Sequence, residues 1–347
     1  MMGEAIAHDI VRNGNKAIIV DVDAHHARRV ADNTGAQPYA GRAVDIFARD
    51  DIVISAVPYD FNLEMTKAAI KMGAHFLDLG GNNTVVEKQF MLHDDAVANG
   101  VSIVPDCGIA PGAVSIIAKH GIDELGRMPE YVRIRVGGLP QRPKGPLQYM
   151  KVFSIHGLVN ECLEPTEVLR DYRRTTVESM TGLEKVLFPA PFGELEAAYT
   201  SGGSSTLSKT YEGQIKDIDY KTLRYPGHWT LFKAIADLGF FRPEHRQATE
   251  RTLDDALSYH GQDALLMRVS VGDAHEERNY TLVDLQQEHT AMQRTTGYSI
   301  AIIAQMIGQG RITQRGALRQ ETSIPPQLFI EEWAKRGIDL QSRSIEK

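Results

Sequence analysis

Apolar positions in the first third of the chain come in short runs separated by stretches of helical period. An amphipathic stretch ends at about Val11, and after the break Asn13-Gly14-Asn15 comes the run Ala17-Ile18-Ile19-Val20, closed by Asp21. A helix is predicted over about Ala24–Thr34, then a strand over Asp51–Val57 that Pro58 breaks. A helix over about Asn62–Met72 leads to His75-Phe76-Leu77-Asp78-Leu79-Gly80-Gly81. A further helix covers about Glu87–Asn99, and Val101–Asp106 reads as the next strand. Short apolar runs alternating with helices of about 10–15 residues predict βαβ units and a parallel sheet.

The pattern changes near Pro129. Tyr131-Val132-Arg133-Ile134-Arg135-Val136 alternates with period two, as do Ile215–Leu223, Ala264–Val271 and Arg278–Leu285. Alternation implies one polar face, hence an antiparallel or mixed sheet. A Gly/Pro-rich loop, Gly137–Pro146, and a helix over about Trp229–Leu238 lie between these segments. From Thr296 the chain reads helical again through Ile307, and Gly308 and Gly310 end that helix. The expected fold is therefore α/β: a parallel sheet with an inserted α+β mixed-sheet domain. Residues 1–128 form the first domain, 129–296 the insertion, and 297–347 helices returning to the first, with a frayed polar tail after Ile338.

The opening segment, Met1-Met2-Gly3-Glu4-Ala5-Ile6-Ala7, resembles the second half of a Rossmann turn. Gly3 stands where the third glycine of G-x-G-x-x-G lets a helix pack on its strand. Asp21 stands where a carboxylate accepts from ribose hydroxyls. Met1 and Met2 read as the variable positions before that glycine. The first strand and first two glycines are missing from the pattern, so roughly 10 preceding residues are expected. The sheet is expected to show a gap there, and this chain to bind its dinucleotide more weakly than a longer form. Equal affinity for both lengths would contradict that expectation.

Composition narrows the class without naming it. The chain has 347 residues, 42% hydrophobic and 24% charged, with a net charge of −7. These values describe a soluble globular protein of two-domain size and argue against nucleic acid as a partner. No apolar run is long enough to span a membrane, and no secretory signal opens the chain. Cys107 and Cys162 lie far apart and match no zinc spacing, so two free thiols in a cytoplasmic setting and no metal are expected. No nucleophile elbow or P-loop occurs.

Candidate cofactor contacts gather at predicted strand ends, where open parallel sheets bind ligands. They are Gly3, Asp21, Asp23, Ala56, Val57, Pro58, Asp78 and Gly80, with Asp106-Cys107-Gly108-Ile109-Ala110-Pro111-Gly112 opening a helix at about Pro111. Asp21 favours NAD, since a carboxylate repels a 2′-phosphate. Arg28 and Arg29 leave NADP open unless both face solvent. The densest polar stretch is Tyr220-Lys221-Thr222-Leu223-Arg224-Tyr225-Pro226-Gly227-His228. By strand parity Lys221, Leu223 and Tyr225 share one side, and Tyr220, Thr222 and Arg224 the other. Arg224 offers a fork for a carboxylate. Lys221 suits a general base if burial lowers its pKa, and His228 a proton shuttle. The plain alternative is solvated sheet residues with His228 capping a helix. Thr200, Ser201 and Ser205, in Tyr199–Thr206, offer hydroxyl and backbone donors, or form an ordinary loop. Tyr149 and Ser154 are lesser candidates, and Glu161 and His156 read as buried or helix-surface polar residues.

Taken together, Asp78–Gly81, Asp106–Gly112, Val136–Pro140, Tyr199–Leu207, Lys221–His228 and Arg294–Gln305 resemble the saccharopine dehydrogenase-like family. The resemblance spans Gly3 to about Gly337. It implies a Rossmann domain interrupted by a mixed-sheet domain, and a homodimer or higher homo-oligomer. It further implies hydride transfer between an amino-acid carbon–nitrogen bond and NAD or NADP. L-lysine oxidised at its ε-amine is the first substrate it implies. Lys221, His228 or Asp106 would take the proton, and Arg224, Tyr149, Thr200, Ser201 and Ser205 would hold the substrate. Saccharopine and a carboxylated polyamine such as carboxynorspermidine are alternatives; their second carboxylate requires another cation, for which Arg142, Lys151 and Arg294 are available. A non-catalytic nucleotide-binding relative is the alternative of another class.

Overall fold

The computed structural model describes residues 2–346, so the reading of Met1 as a turn position lies outside the described residues. In chain order the first elements are α1 (Met2–Arg12), β1 (Ile18–Asp21), α2 (Ala24–Thr34), β2 (Gln37–Ala40), β3 (Ile52–Ser55), α3 (Asn62–Met72), β4 (His75–Asp78), α4 (Asn83–Phe90), α5 (His93–Ala98), β5 (Ser102–Val104) and α6 (Ala113–Leu125). Next come β6 (Tyr131–Pro140), α7 (Ile155–Leu163), β7 (Thr166–Arg170), β8 (Arg173–Val177), β9 (Glu184–Leu187), β10 (Glu194–Tyr199), α8 (Leu207–Thr210), β11 (Asp217–Arg224), α9 (His228–Asp237) and α10 (Pro243–Leu257). Last are β12 (Asp263–Gly272), β13 (Glu276–Leu285), α11 (Ala291–Gly308), β14 (Gly316–Ala317), α12 (Gln320–Ser323), α13 (Pro326–Lys335) and β15 (Gln341–Glu346).

Two units emerge: Met1–Lys119 with Gln293–Gly337, and His120–Met292 with Ile338–Lys347. Two of the three boundaries fall inside α6 and α11, and the third between α13 and β15. In the first unit all strand pairs are parallel, but the sheet is in two pieces: β1-β2, and β14-β5-β4-β3. Among the described residues, β1 pairs only with β2 and β3 only with β4. The expected gap in the sheet is present between β1 and β3. Its physical trace is exposure: Ile18 of β1 is 56% exposed, whereas every residue of β4 is buried. The core here is built by Phe47, Ile70, Phe76, Val101 and Ile103. Helix α1 is also tied electrostatically. Buried Asp9 accepts from Arg336 Nε just past α13 at 2.7 Å, and from Gln305 Nε2 of α11 at 2.9 Å.

The second unit is a nine-stranded mixed sheet, β15-β13-β12-β6-β11-β10-β9, with β7 and β8 branching from β11. Its two faces carry separate cores. Tyr149, Leu158, Cys162, Trp229, Phe232 and Leu253 form one, and Leu139, Phe188, Phe192, Leu195, Leu223 and Leu266 the other.

Several expectations are corrected. The single helix over Glu87–Asn99 is two, because the Asn82 side chain caps α4 early, accepting from Val85 N at 3.1 Å, and α4 stops at Phe90. The helix expected at Pro111 starts at Ala113. Gly108–Gly112 first closes on itself through a bridge between its two end glycines, with Gly112 at φ 134°. The polar tail is not frayed: Gln341–Glu346 pairs antiparallel with β13, from Glu276↔Glu346 to Thr281↔Gln341. Backbone pairing holds it, and its exposed side chains, polar except for Ile345, are what an edge strand tolerates.

Candidate active site

In the first unit Asp21, Ala56–Pro58, Asp78 and Gly80 lie at or just past carboxyl ends of parallel strands, while Gly3 lies on α1 and Asp23 caps α2. Gly3, in the first turn of α1, faces Ala56 just past β3; a methyl added at Gly3 would lie 3.7 Å from the Ala56 Cβ. Ala56, Val57 and Pro58 are exposed, and Ser55 beneath them donates to Asn62 Oδ1 at 2.7 Å. Asp21 ends β1, where its carboxylate accepts from Asp23 N at 2.9 Å and pairs with His26 Nδ1 at 2.8 Å. Asp23 is the N-cap of α2, accepting from His25 N and His26 N, which holds its carboxyl below the usual range. Its carboxylate is thus committed to the helix. Arg28 and Arg29 are both exposed on α2.

Asp78 is fully buried at the end of β4. It accepts from Gln89 Nε2 at 2.6 Å and Gly80 N at 2.7 Å, yet burial pushes its carboxyl up. Gly80, at φ 71°, is required: an added Cβ would sit 1.8 Å from Asp106 Oδ1. Asp106 is itself held at φ 61° and is buried, a conformation that costs a non-glycine residue free energy and recurs at functional sites. Gln320 of α12 pins the segment by donating to the Pro105 and Asp106 carbonyls. Open strand ends, a glycine giving close backbone approach and a carboxylate at β1 fit a nicotinamide dinucleotide in kind.

In the second unit β11 sorts the candidates by face. On one side Arg224, only 2% exposed, lays its guanidinium over the Tyr149 ring, 4.5 Å from the centroid, and 5.6 Å from that of Trp229. Its Nη1 donates to Leu223 O at 2.9 Å and its Nη2 to Glu161 Oε1 of α7 at 3.3 Å; Nε has no partner. Thr200 shares a 2.6 Å hydrogen bond with Thr222, and Ser201 N donates to Glu161 O at 2.8 Å. Ser201 Oγ donates to Glu164 Oε2 at 3.2 Å. Ser205 sits at φ 49° in the same loop, which lies so close to Tyr220 that a side chain at Gly203 would meet its ring at 2.3 Å.

His228 opens α9, fully buried. Its ring lies nearly parallel to Phe232 at 5.6 Å and edge-on to Tyr149 and Trp229. Nδ1 lies 2.7 Å from Leu147 O, an acceptor, so Nδ1 carries the proton and Nε2, which has no partner, keeps its lone pair. Burial, then the Arg224 charge, drives its pKa down to about 3. The expected shuttle near neutral pH is therefore corrected: His228 is a neutral acceptor. Lys221 is also corrected as a base. It points to the other face, where Nζ donates to Gly182 O at 2.5 Å and Glu184 Oε2 at 2.8 Å above the Tyr199 ring. Burial lowers its pKa as expected, but the ammonium is held in an ion pair away from Arg224.

The group that sequence reasoning set aside is Glu161. Its carboxyl is pushed up to about 7 by burial, against the opposing pull of Arg224. A signal existed: Glu161 lies three residues after buried Leu158 and directly before buried Cys162, so a carboxylate falls at the edge of the helix's apolar stripe.

Fold and strand-end geometry define the class: a parallel-sheet dinucleotide-binding unit joined to a mixed-sheet unit. Residues 1–104 match the model of the saccharopine dehydrogenase NADP binding domain, and residues 108–338 that of the saccharopine dehydrogenase C-terminal domain. The chain belongs to the saccharopine dehydrogenase family. It is 26% identical over 209 residues to the NADP(+)-dependent, L-glutamate-forming saccharopine dehydrogenase of Pyricularia oryzae, a match covering 57% of this chain and 45% of that protein. The Saccharomyces cerevisiae counterpart is 25% identical over 208 residues, covering 57% of this chain and 46% of that one. The matches thus span less than half the length of these relatives. In structure, apo saccharopine dehydrogenase (L-Glu forming) from S. cerevisiae superposes with a TM-score of 0.80 at 19% identity, covering 98% of both chains. The homospermidine synthase of Legionella pneumophila in complex with NAD follows at 0.71 and 12% identity, covering 100% of this chain and 89% of that one.

Proposed function

We propose that the chain is an NAD(P)-dependent oxidoreductase acting on a carbon–nitrogen bond of a lysine-type amino acid, with lysine 6-dehydrogenase chemistry as the first reading. The observation that carries it is Arg224, a buried guanidinium with an unpartnered Nε, suited to a substrate carboxylate. The dinucleotide, when bound, supplies the two-electron acceptor for the C–H bond next to nitrogen. Arg224 orients the carboxylate, flanked by Tyr149, Thr200, Ser201 and Ser205. The amine must lose a proton as its carbon loses hydride. We assign that proton to Asp106, whose carboxylate is fixed over Gly80. His228 Nε2 accepts an N–H hydrogen bond without taking the proton. The resulting C=N bond adds water and releases ammonia, leaving the aldehyde.

Saccharopine is the second reading, favoured by what the curated relatives act on. It needs a second cation. Of those expected, Lys151 is paired with Asp254, and Arg294 donates to the Arg336 and Gly337 carbonyls at 3.3 and 3.1 Å, leaving Arg142 on the surface. That favours a substrate with one carboxylate. A panel of L-lysine, saccharopine and carboxynorspermidine, followed by reduced-nicotinamide absorbance with each cofactor, decides between them. Asp106→Asn should abolish turnover while nucleotide affinity, read by calorimetry, stays. Normal turnover in that variant refutes the base assignment, and no turnover on any substrate refutes the reading.

A further inference from the structure

The Arg224 guanidinium already meets a carboxylate of the protein itself. Arg224 can donate five hydrogen bonds. It spends one on its own strand's Leu223 carbonyl and one on Glu161, and its Nε is sealed from solvent with nothing to bond. The Glu161 contact is long, 3.3 Å against the roughly 2.7–2.9 Å of a charge-assisted bond, and engages a single nitrogen. The Arg224 side chain is 2% exposed and that of Glu161 22%, so Glu161 is the solvent-facing member of the pair. We propose that Glu161 is a resident stand-in: it occupies Arg224 until a ligand's carboxylate displaces it, so that the site binds carboxylates by anion exchange. This rests on reading Arg224 as the carboxylate-holding residue.

The surroundings make the exchange cheap. The groups facing Glu161 are Arg224 and Tyr220 of β11, Tyr149 before α7 and Cys162 on its own helix; His228 of α9 faces Arg224. Burial raises both tyrosines and the thiol, so all three are neutral at physiological pH, and His228 is neutral as well. Arg224 is then the sole cation acting on Glu161. Once a ligand takes Arg224, Glu161 is left half-buried without a counter-charge and picks up a proton from the solvent it borders. Ligand binding is thereby coupled to proton uptake, strongest above the ligand-free pKa of about 7 and fading below it, where Glu161 is already protonated.

The test uses glutarate, a dicarboxylate with no amine, so that it is independent of redox turnover. Calorimetric titrations of the full chain in phosphate and in Tris buffer give the protons exchanged. Uptake of about one proton per site near pH 8, falling steeply toward pH 6, is expected. Glu161→Gln removes the competitor. It should tighten glutarate binding about tenfold near pH 8 and abolish the proton uptake. Arg224→Met should eliminate binding. Binding without proton uptake in the unmodified chain, weaker binding by Glu161→Gln, undiminished binding by Arg224→Met, or no glutarate binding at all each overturns the exchange. The first measurement needs no variant, so a misfolded mutant does not blunt it. A chain that exchanges glutarate yet turns over no substrate refutes the proposed reaction and leaves the stand-in intact.

Discussion

The two faces of β11 hold charge in opposite ways. On the Lys221 face, Arg135 donates to Glu184, to Asp219 at 2.6 Å and to Ile134 O at 2.9 Å; Arg170 reaches Asp219 at 2.9 Å, and Lys221 closes the circuit on Glu184. Cations and carboxylates alternate, and the Asp219 and Glu184 carboxyls lie below their usual range because the neighbouring cations outweigh burial. On the Arg224 face one guanidinium meets one carboxylate at long range, and burial wins over the pairing. A network saturated with partners is architecture. A buried cation short of partners is poised for a ligand. The difference teaches that the two faces of one charged strand differ not in how many charges they carry but in how completely those charges are paired.

The comparison can be broken most forcefully at Arg135. Arg135→Met leaves Asp219 with Arg170 alone and Glu184 with Lys221 alone, and should cost about 3 kcal/mol of unfolding free energy, measured by urea denaturation. A cost near zero would mean the network is ornamental. The next effect is a divergence with pH. Asp219 and Glu184 have depressed folded-state pKa values, so their stabilisation is present above the unfolded values near 4 and is lost as pH falls through the folded ones. Glu161, raised from 4.5 to about 7, acts in reverse. The folded state binds more protons between those values, so stability declines by about 2–3 kcal/mol as pH rises from 4.5 to 7. Asp219→Asn should flatten the acid limb and Glu161→Gln the neutral one; if either variant flattens the other's limb, the division of labour is wrong. The smallest effect is expected at Lys221. Lys221→Met should lose about 1 kcal/mol, since Glu184 keeps Arg135, and leave turnover unchanged. A collapse of turnover with normal stability would return Lys221 to the active site.

Much of this was legible in the chain. Period-two alternation assigned Lys221 and Arg224 to opposite faces of one strand, as the structure has them. β1, β3, β4 and β5 of the first unit were readable as apolar runs, whereas the mostly exposed β2 and the two-residue β14 were not. Residues 166–199 were not readable. β7 to β10 are strands of four to six residues, and β8 is almost wholly exposed, so no apolar period marks them. Glu161 was missed because burial of a carboxylate depends on what covers it, and Arg224 stands 63 residues away in sequence. His228 was misjudged for the same reason: three aromatic rings strip its solvation, and none but Trp229 is its sequence neighbour.

The bond from Arg336 to Asp9 joins residues 327 positions apart within the first unit. During synthesis, α1 leaves the ribosome long before its counter-charge exists. Strand β5 likewise waits for β14, which pairs Gly316 with Ser102. The first unit therefore completes itself only once residues through Arg336 have been translated, and until then Asp9 lacks its cation and β5 one of its partner strands.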